Sequence, residues 1–272
     1  MTKVSVVIPS FNGRDMVRDT VAFALSHGHP EVEVVVVDDG STDPVTMVAL
    51  EQIKAEGRAK VIAQENRGPS GARNRGIDEA AGDYILPLDH DDEIHPDYAA
   101  KAAAVLDARP EVGIVYARVE RFGASTGEWS HGDFAIGRML MGNVIHASAM
   151  FRRADWIAVG GYSEEMRRGW EDHDFWLNIL GVGREVVHLD EVLFRYRDTE
   201  GSFAKAMALD DQIDALAHNF ATNSELYVRH TDEFVRELLG QRYMLAHFKR
   251  RYGRAEDAIS RAGALRRRFR GV

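Results

Sequence analysis

The sequence predicts an α/β fold, a mostly parallel doubly wound sheet flanked by helices, with a helical C-terminal extension. Three observations carry this reading. Val4-Ser5-Val6-Val7-Ile8 and the stretch from Val32 to Val37 are near-continuous β-branched runs, the pattern of strands buried on both faces of a parallel sheet. Strand and helix signals alternate with short connections over the first 120 residues. The 272 residues, 45% hydrophobic and 28% charged, match one large globular domain plus an appendage, long enough to bury a real core.

Taken in order, the first run ends at Pro9, and Asp15 to Ser26 then spaces Met16, Val17, Thr20, Val21, Ala24 and Leu25 as a helix that stops near Gly28. After the second run, Asp43-Pro44 supplies an N-cap and a proline at the first helical position, and Gly57 closes that helix. Lys60 to Ala63 reads as a strand, Ser70 to Ala81 as a helix stopped by Gly82, and Tyr84 to Leu88 as a fourth strand. A helix from Asp97 to Asp107 and a strand from Val112 to Ala117 follow. Residues 118–165 are richer in glycine and polar residues and show few clear periods. Beyond them Glu171 to Leu180 is helical, Glu185 to Leu189 and Val192 to Tyr196 are extended, and the chain after about 203 is helical throughout. There is no internal repeat and no low-complexity tract.

Composition excludes several function classes. The absence of cysteine rules out a disulfide scaffold, a thiolate zinc site and a cysteine nucleophile. No apolar run approaches the ~18 residues of a membrane span. Met1-Thr2-Lys3 leads straight into a strand, so no signal peptide is expected, and the cytosol is the expected compartment. The net charge of −9 is unevenly spread. Residues 249–272 carry nine basic against two acidic residues, which leaves −16 on residues 1–248. Such a body would repel nucleic acid, and none is expected as a partner. In the tail, Ala258, Ile259, Ala262, Leu265 and Phe269 recur at near-helical spacing among the arginines. A basic amphipathic helix reads either as a peripheral contact with the inner face of a membrane or as a helix docked on the acidic body.

In an open α/β sheet, ligands bind beyond the carboxyl ends of the strands. Pro9-Ser10-Phe11-Asn12 follows the first strand, Asp38-Asp39-Gly40-Ser41 the second and Asp89-His90-Asp91-Asp92 the fourth, so two acidic clusters converge on one edge. Aspartate is common in such turns as a helix cap. Three in four residues exceed what capping needs, and their mutual repulsion calls for a cation of the Mg²⁺ or Mn²⁺ kind. A metal there suggests a phosphate ligand. Neither G-x-G-x-x-G nor G-x-x-x-x-G-K-[ST] occurs, so a diphosphate would be held by metal and side chains.

These segments, with Asn66-Arg67-Gly68, Ala72-Arg73-Asn74-Arg75-Gly76, Gly160-Gly161-Tyr162 and Glu171-Asp172-His173-Asp174-Phe175-Trp176, resemble the successive motifs of family 2 glycosyltransferases over roughly residues 3–197. The resemblance implies a Rossmann-like GT-A domain over residues 1–200, with a nucleotide-sugar half at 1–117 and an acceptor and catalytic-base half at 118–200. Residues 201–272 form the extension and lie outside it. It implies inverting, metal-assisted transfer from a nucleotide-diphosphate sugar, a UDP-sugar first, to a glycan, lipid-linked or protein hydroxyl. Pro9, Phe11 and Asp39 would hold the base and Arg73 the donor. Asp89, Asp91 and Asp92 would share the ribose and the metal, Mn²⁺ or Mg²⁺. Asp172 would be the general base, with Glu171 its rival. His188 is either a further metal or diphosphate ligand or a buried histidine. Arg195 and Arg197 share one face of a strand, to meet phosphate or the acidic body. His146 and Trp170 lie where the acceptor wall is expected, and packing is the alternative for both. Competing activities are a sugar-phosphate nucleotidylyltransferase, whose first loop is Gly-rich and Arg-containing, unlike this one, and a non-catalytic nucleotide-sugar binder.

Overall fold

The computed structural model describes all residues except 1, 27, 29–30, 130–133, 167–168, 200–207 and 270–272, with backbone alone for 252–269. The nine strands among these residues are β1 (Val4–Ser10), β2 (Val32–Asp38), β3 (Lys60–Ala63), β4 (Tyr84–Pro87), β5 (Glu93–Ile94), β6 (Val112–Gly123), β7 (Gly127–Trp129), β8 (Met150–Arg152) and β9 (Glu185–Asp198). The helices are α1 (Met16–Leu25), α2 (Pro44–Glu56), α3 (Gly68–Asp78), α4 (Tyr98–Ala108), α5 (Ile136–Met141), α6 (Arg153–Val159), α7 (Glu171–Gly181), α8 (Leu209–Thr222), α9 (Ser224–Arg229) and α10 (Thr231–Phe269).

The strands form one sheet in the order β3-β2-β1-β4-β8-β6-β9-β5, with β7 on β6. Strands β1 to β4 are parallel, β1 lying between β2 and β4 with Val4 level with Val32 and Tyr84. The mostly parallel sheet expected from the sequence is therefore present, but it is mixed. Strand β8 runs antiparallel between β4 and β6, and β5 pairs antiparallel with β9. The two extended segments near residue 190 form the single strand β9, which follows β6 in parallel past bulges at Ala117 to Val119.

The sheet separates two apolar layers. Val4, Val6 and Ile8 of β1 face a cluster with Val36, Tyr98 and Phe194, whereas Val7 faces one with Ile85, Phe151 and Trp176. The alternation along one strand is what places helices on both faces. Helix α2 starts as its sequence signals require: Asp43 accepts a hydrogen bond from the Thr46 amide at 2.9 Å, and Gly57 ends it at φ +66°. Helices α8 and α9 pack against α7, and Tyr227 donates to the Leu140 carbonyl at 2.8 Å. The first turns of α10 lie on α5. The tail residues Ala258, Ile259, Ala262, Leu265 and Phe269 have side chains outside the described set, so neither the docked nor the membrane reading is decided by contacts. Among the described residues no helix is long and apolar enough to cross a membrane.

Helix α3 comes close to the sheet at Gly76, where a Cβ would run into Val7 and stand 3.1 Å from Val37 Cγ2. Gly76→Ala should therefore lose about 1–2 kcal/mol of unfolding free energy despite alanine's better helix propensity, because overpacking outweighs it. Urea denaturation measures this.

Candidate active site

Loops after β1, β2 and β4 meet at one sheet edge, and backbone and side-chain bonds stitch them together. Asn12, at φ +51°, accepts from the Thr42 and Asp43 amides at 2.9 Å each, while Ser41 Oγ accepts from the Asn12 amide at 3.0 Å. Thr20 Oγ1 donates to the carbonyls of His90 and Asp92. Pro9 is buried in β1, whereas Phe11 stands half out of the surface beside it, 47% exposed.

Asp39 is buried and accepts from Gln64 Nε2 at 2.7 Å and from the Arg67 and Gly68 amides at 2.8 and 2.9 Å. It thus caps α3, whose own N-cap residue supplies no side-chain acceptor. The capped helix carries Arg73, which is 3% exposed. Its guanidinium donates to Asp89 Oδ1 at 2.8 Å and to Glu171 Oε1 at 2.6 Å, and lies 5.7 Å from the Tyr162 ring centre. Burial works against this charge, but Asp89 and Glu171 outweigh it and hold the guanidinium well above the usual arginine pKa. Among the described residues the Arg73 Nε has no hydrogen-bond partner.

The next residue, Asn74, was not singled out from the sequence. It donates to the Tyr162 carbonyl at 2.8 Å and accepts from the Tyr162 amide and the Trp156 indole at 2.9 and 3.0 Å. It thereby fixes the Gly160-Gly161-Tyr162 segment, where Gly161 at φ +82° has no room for a Cβ.

Helix α7 begins after Trp170, which sits at φ +65°, an uncommon conformation for a bulky residue. Glu171 is buried in the Arg73 pair. Asp172 is half-buried, makes no ion pair within 4.0 Å among the described residues, and accepts from Asn143 Nδ2 at 2.8 Å. Burial and the neighbouring Glu171 charge push its pKa up to about 7, against the pull of Arg73. Asn143 is the second residue that sequence reasoning missed, since a lone asparagine in an aperiodic segment carries no signal.

In the loop after β4, burial is the main cause that raises Asp91 and Asp92; the Asp89 charge adds to both, and the Asp91 charge adds to Asp92. Asp92 is buried and accepts from the Arg197 amide at 2.8 Å, and Arg197 Nε donates to the Asp91 carbonyl at 2.7 Å. Arg195 pairs with Glu93 and Glu120, and both guanidiniums stack on Phe122. The two arginines therefore share a face and meet the acidic body. His188 stacks on Tyr116 with ring centres 4.4 Å apart, and His146 stacks on Phe194 at 4.5 Å. Among the described residues no three His, Asp or Glu side chains converge closely enough to ligate one ion. The Asp89, Asp91, Asp92 and His188 side chains expected from the sequence therefore form no all-protein cage among the described residues: Asp89 pairs with Arg73 through one oxygen only, Asp92 accepts from the Arg197 amide and His188 stacks on Tyr116.

Removing the guanidinium leaves buried Glu171 without its counter-charge. Arg73→Met should lower unfolding free energy by about 3–5 kcal/mol, the usual result of breaking a buried pair. Chemical denaturation at neutral pH tests this.

Comparison with known proteins bears on the same residues. The profile described as Glycosyl transferase family 2 matches residues 5–175. The succinoglycan biosynthesis protein ExoU of Rhizobium meliloti is 29% identical, with 91% of this chain and 78% of ExoU aligned. Two Bacillus subtilis relatives, 39% and 37% identical, match over only 99 and 95 residues, so the chain spans 39% and 28% of their length. Among solved structures, S. aureus TarS 1–349 in complex with UDP-GlcNAc has a TM-score of 0.66 at 22% identity, covering 85% of this chain and 73% of that one. Mannosyltransferase PcManGT of Pyrobaculum calidifontis, in complex with GDP-Man and Mn²⁺, has a TM-score of 0.59 at 18% identity over 91% of this chain and 81% of that one. The structural likenesses show the GT-A fold, and the profile match over more than half of the residues gives the family: the chain belongs to glycosyl transferase family 2.

Proposed function

We propose that the chain transfers a sugar from a nucleoside-diphosphate sugar, a UDP-sugar in the first instance, to a hydroxyl of a glycan, lipid-linked or protein acceptor, with inversion. One observation carries the reading. Arg73 ties the carboxylate loop after β4 to the first turn of α7, so a donor-side acidic cluster and a carboxylate able to act as a base stand together at one sheet edge. The nucleotide-sugar complexes of TarS and PcManGT support a donor of that class. On this reading residues 1–117 are the donor half, 118–200 the acceptor half, and 201–272 a helical extension.

Phe11 and Pro9 would flank the base. Asp39 has about four acceptor sites and three protein donors, which leaves one for an imide N–H. The partnerless Arg73 Nε is a donor that a ligand oxygen would satisfy. Asp89 and Asp91 fit a Mg²⁺ or Mn²⁺ shared with the donor's phosphates, since such ions take one or two carboxylates plus phosphate oxygens. Burial is the main cause that raises Asp91, the Asp89 charge adds to it, and a cation would favour the ionised form against both. Asp92, held by Arg197, and His188, stacked on Tyr116, are weaker ligands. When bound, the ion supplies Lewis-acid stabilisation of the departing diphosphate.

Asp172 would take the proton from the acceptor hydroxyl as that oxygen attacks the anomeric carbon from the face opposite the leaving group. Glu171 is the poorer base because its charge is spent on Arg73. A pKa near 7 suits the task, since the carboxylate is a stronger base than an ordinary aspartate and is still ionised in half the molecules at that pH. Trp170 stands beside Asp172 as a platform for the acceptor sugar.

Two outcomes follow. Asp172 must be ionised to act, so kcat/KM should rise with pH and level off above about 7. Asp172→Asn should abolish that limb and lower turnover ~10²–10⁴-fold while donor affinity holds; a variant that keeps a tenth of wild-type turnover rejects the assignment. UDP should bind more tightly with Mn²⁺ than with EDTA in calorimetric titrations, and equal affinities would remove the metal from the reading.

A further inference from the structure

Helix α10 is 39 residues long, about 58 Å at 1.5 Å per residue, and its first turns rest on α5. From Leu238 to Arg251 every residue is exposed, including Leu238, Leu245 and Phe248 at 44, 55 and 54%. An exposed apolar run of this kind, with Leu238 and Leu245 at its centre, marks an interaction face. The sequence specifies its kind. With Leu238 assigned to position a of a heptad, every a and d position through Phe269 is apolar or aromatic except Gln241 at d and Arg266 at a.

The period decides between a membrane and a helix. A strict seven-residue repeat drifts by about 20° per heptad on a straight α-helix, roughly 90° over 32 residues, so no single flat face holds the stripe against a bilayer. A second helix that supercoils with the first follows it.

Charge decides the direction. Two parallel copies in register would set Arg266 against itself and lay two tails, each seven charges positive, side by side. With the copies antiparallel about the midpoint between 253 and 254, each a position stands level with a d position of the other copy. Gln241 is then level with position 266, so the two polar core positions coincide, and Leu245 is level with Ala262. Lys249 and Glu256, both at e, flank the same layers with opposite charge. Each basic tail also runs toward the other copy's body, which carries −16. We infer that α10 pairs with α10 of a second copy of this chain as an antiparallel coiled coil.

Sedimentation analysis of the full chain should give a dimer; a monomer at every accessible concentration overturns the inference. Leu245→Glu, at an exposed site, should weaken self-association at least about tenfold, some 1.4 kcal/mol, with the melting temperature of the body unchanged. An unweakened dimer would place the contact elsewhere and overturn it. Because the chain has no cysteine, direction is testable by oxidation. Mixed Leu245→Cys and Ala262→Cys variants should form a disulfide-linked pair, and linkage of Leu245→Cys with itself at the same rate overturns the antiparallel register. A monomer that co-sediments with phosphatidylglycerol vesicles would make the helix a membrane anchor instead. None of these readouts uses transfer activity, so the inference stands or falls apart from the proposed function.

Discussion

The Arg73 guanidinium is the constraint on which the site depends. It is buried on α3, and it joins a carboxylate after β4 to another at the start of α7, 98 residues further along the chain from Arg73. A guanidinium so placed needs counter-charges close by, and its rigid fork reaches two acceptors at once where a lysine would reach with a single point charge. Everything that positions it serves the same end. Asp39 caps the helix that carries it, Asn74 fixes the segment that brings Tyr162 beneath it, and Gly76 lets the helix close on β1 and β2.

How much of this was legible in the sequence depended on range. The first half of the sheet was readable because β1 and β2 are rich in β-branched residues and its parallel strands are joined by helices with a local apolar period or local end signals. Helix α2 is an example, with Asp43, Pro44 and Gly57 acting within a few residues of its ends. The second half was readable only in part: the starts of β6 and β9 were expected, and the short strands were not. Strand β8 is three residues long, too short for a period to register, and it exists because Tyr84 and Ile85 on one side and Ile114 and Val115 on the other leave it a slot. Strand β6 extends past Ala117 because β9 continues beside it, a long-range pairing that local pattern does not encode.

The site divided in the same way. Motifs marked the positions Asp39, Arg73, Asp89, Glu171 and Asp172, but gave no partners for them. Asp39 turned out to be the cap of a helix whose N-terminus lies 29 residues away, and His188 to be stacked on Tyr116. Asn74 and Asn143 act through single amide groups: Asn74 sits in a helix whose sequence does not say which of its polar residues faces a neighbour, and an isolated asparagine such as Asn143 looks the same in a loop whether it holds Asp172 or faces water.

The first turn of α7 explains why one of its four polar residues is suited to gain and lose a proton. Glu171 is committed to Arg73. His173 is fully buried, its Nε2 at 2.6 Å from the Met139 carbonyl and its Nδ1 at 3.0 Å from Asn219 Nδ2, and desolvation lowers its pKa to about 4, so the ring is neutral with the proton on Nε2. Asp174 is buried against Asn178 and Thr222, and burial raises its pKa. Asp172 alone combines partial exposure, a neutral amide partner and a pKa near 7. Three neighbours fixed by three different elements leave the fourth free to titrate. A base that turns over near neutral pH needs that kind of local division of labour more than it needs any one partner.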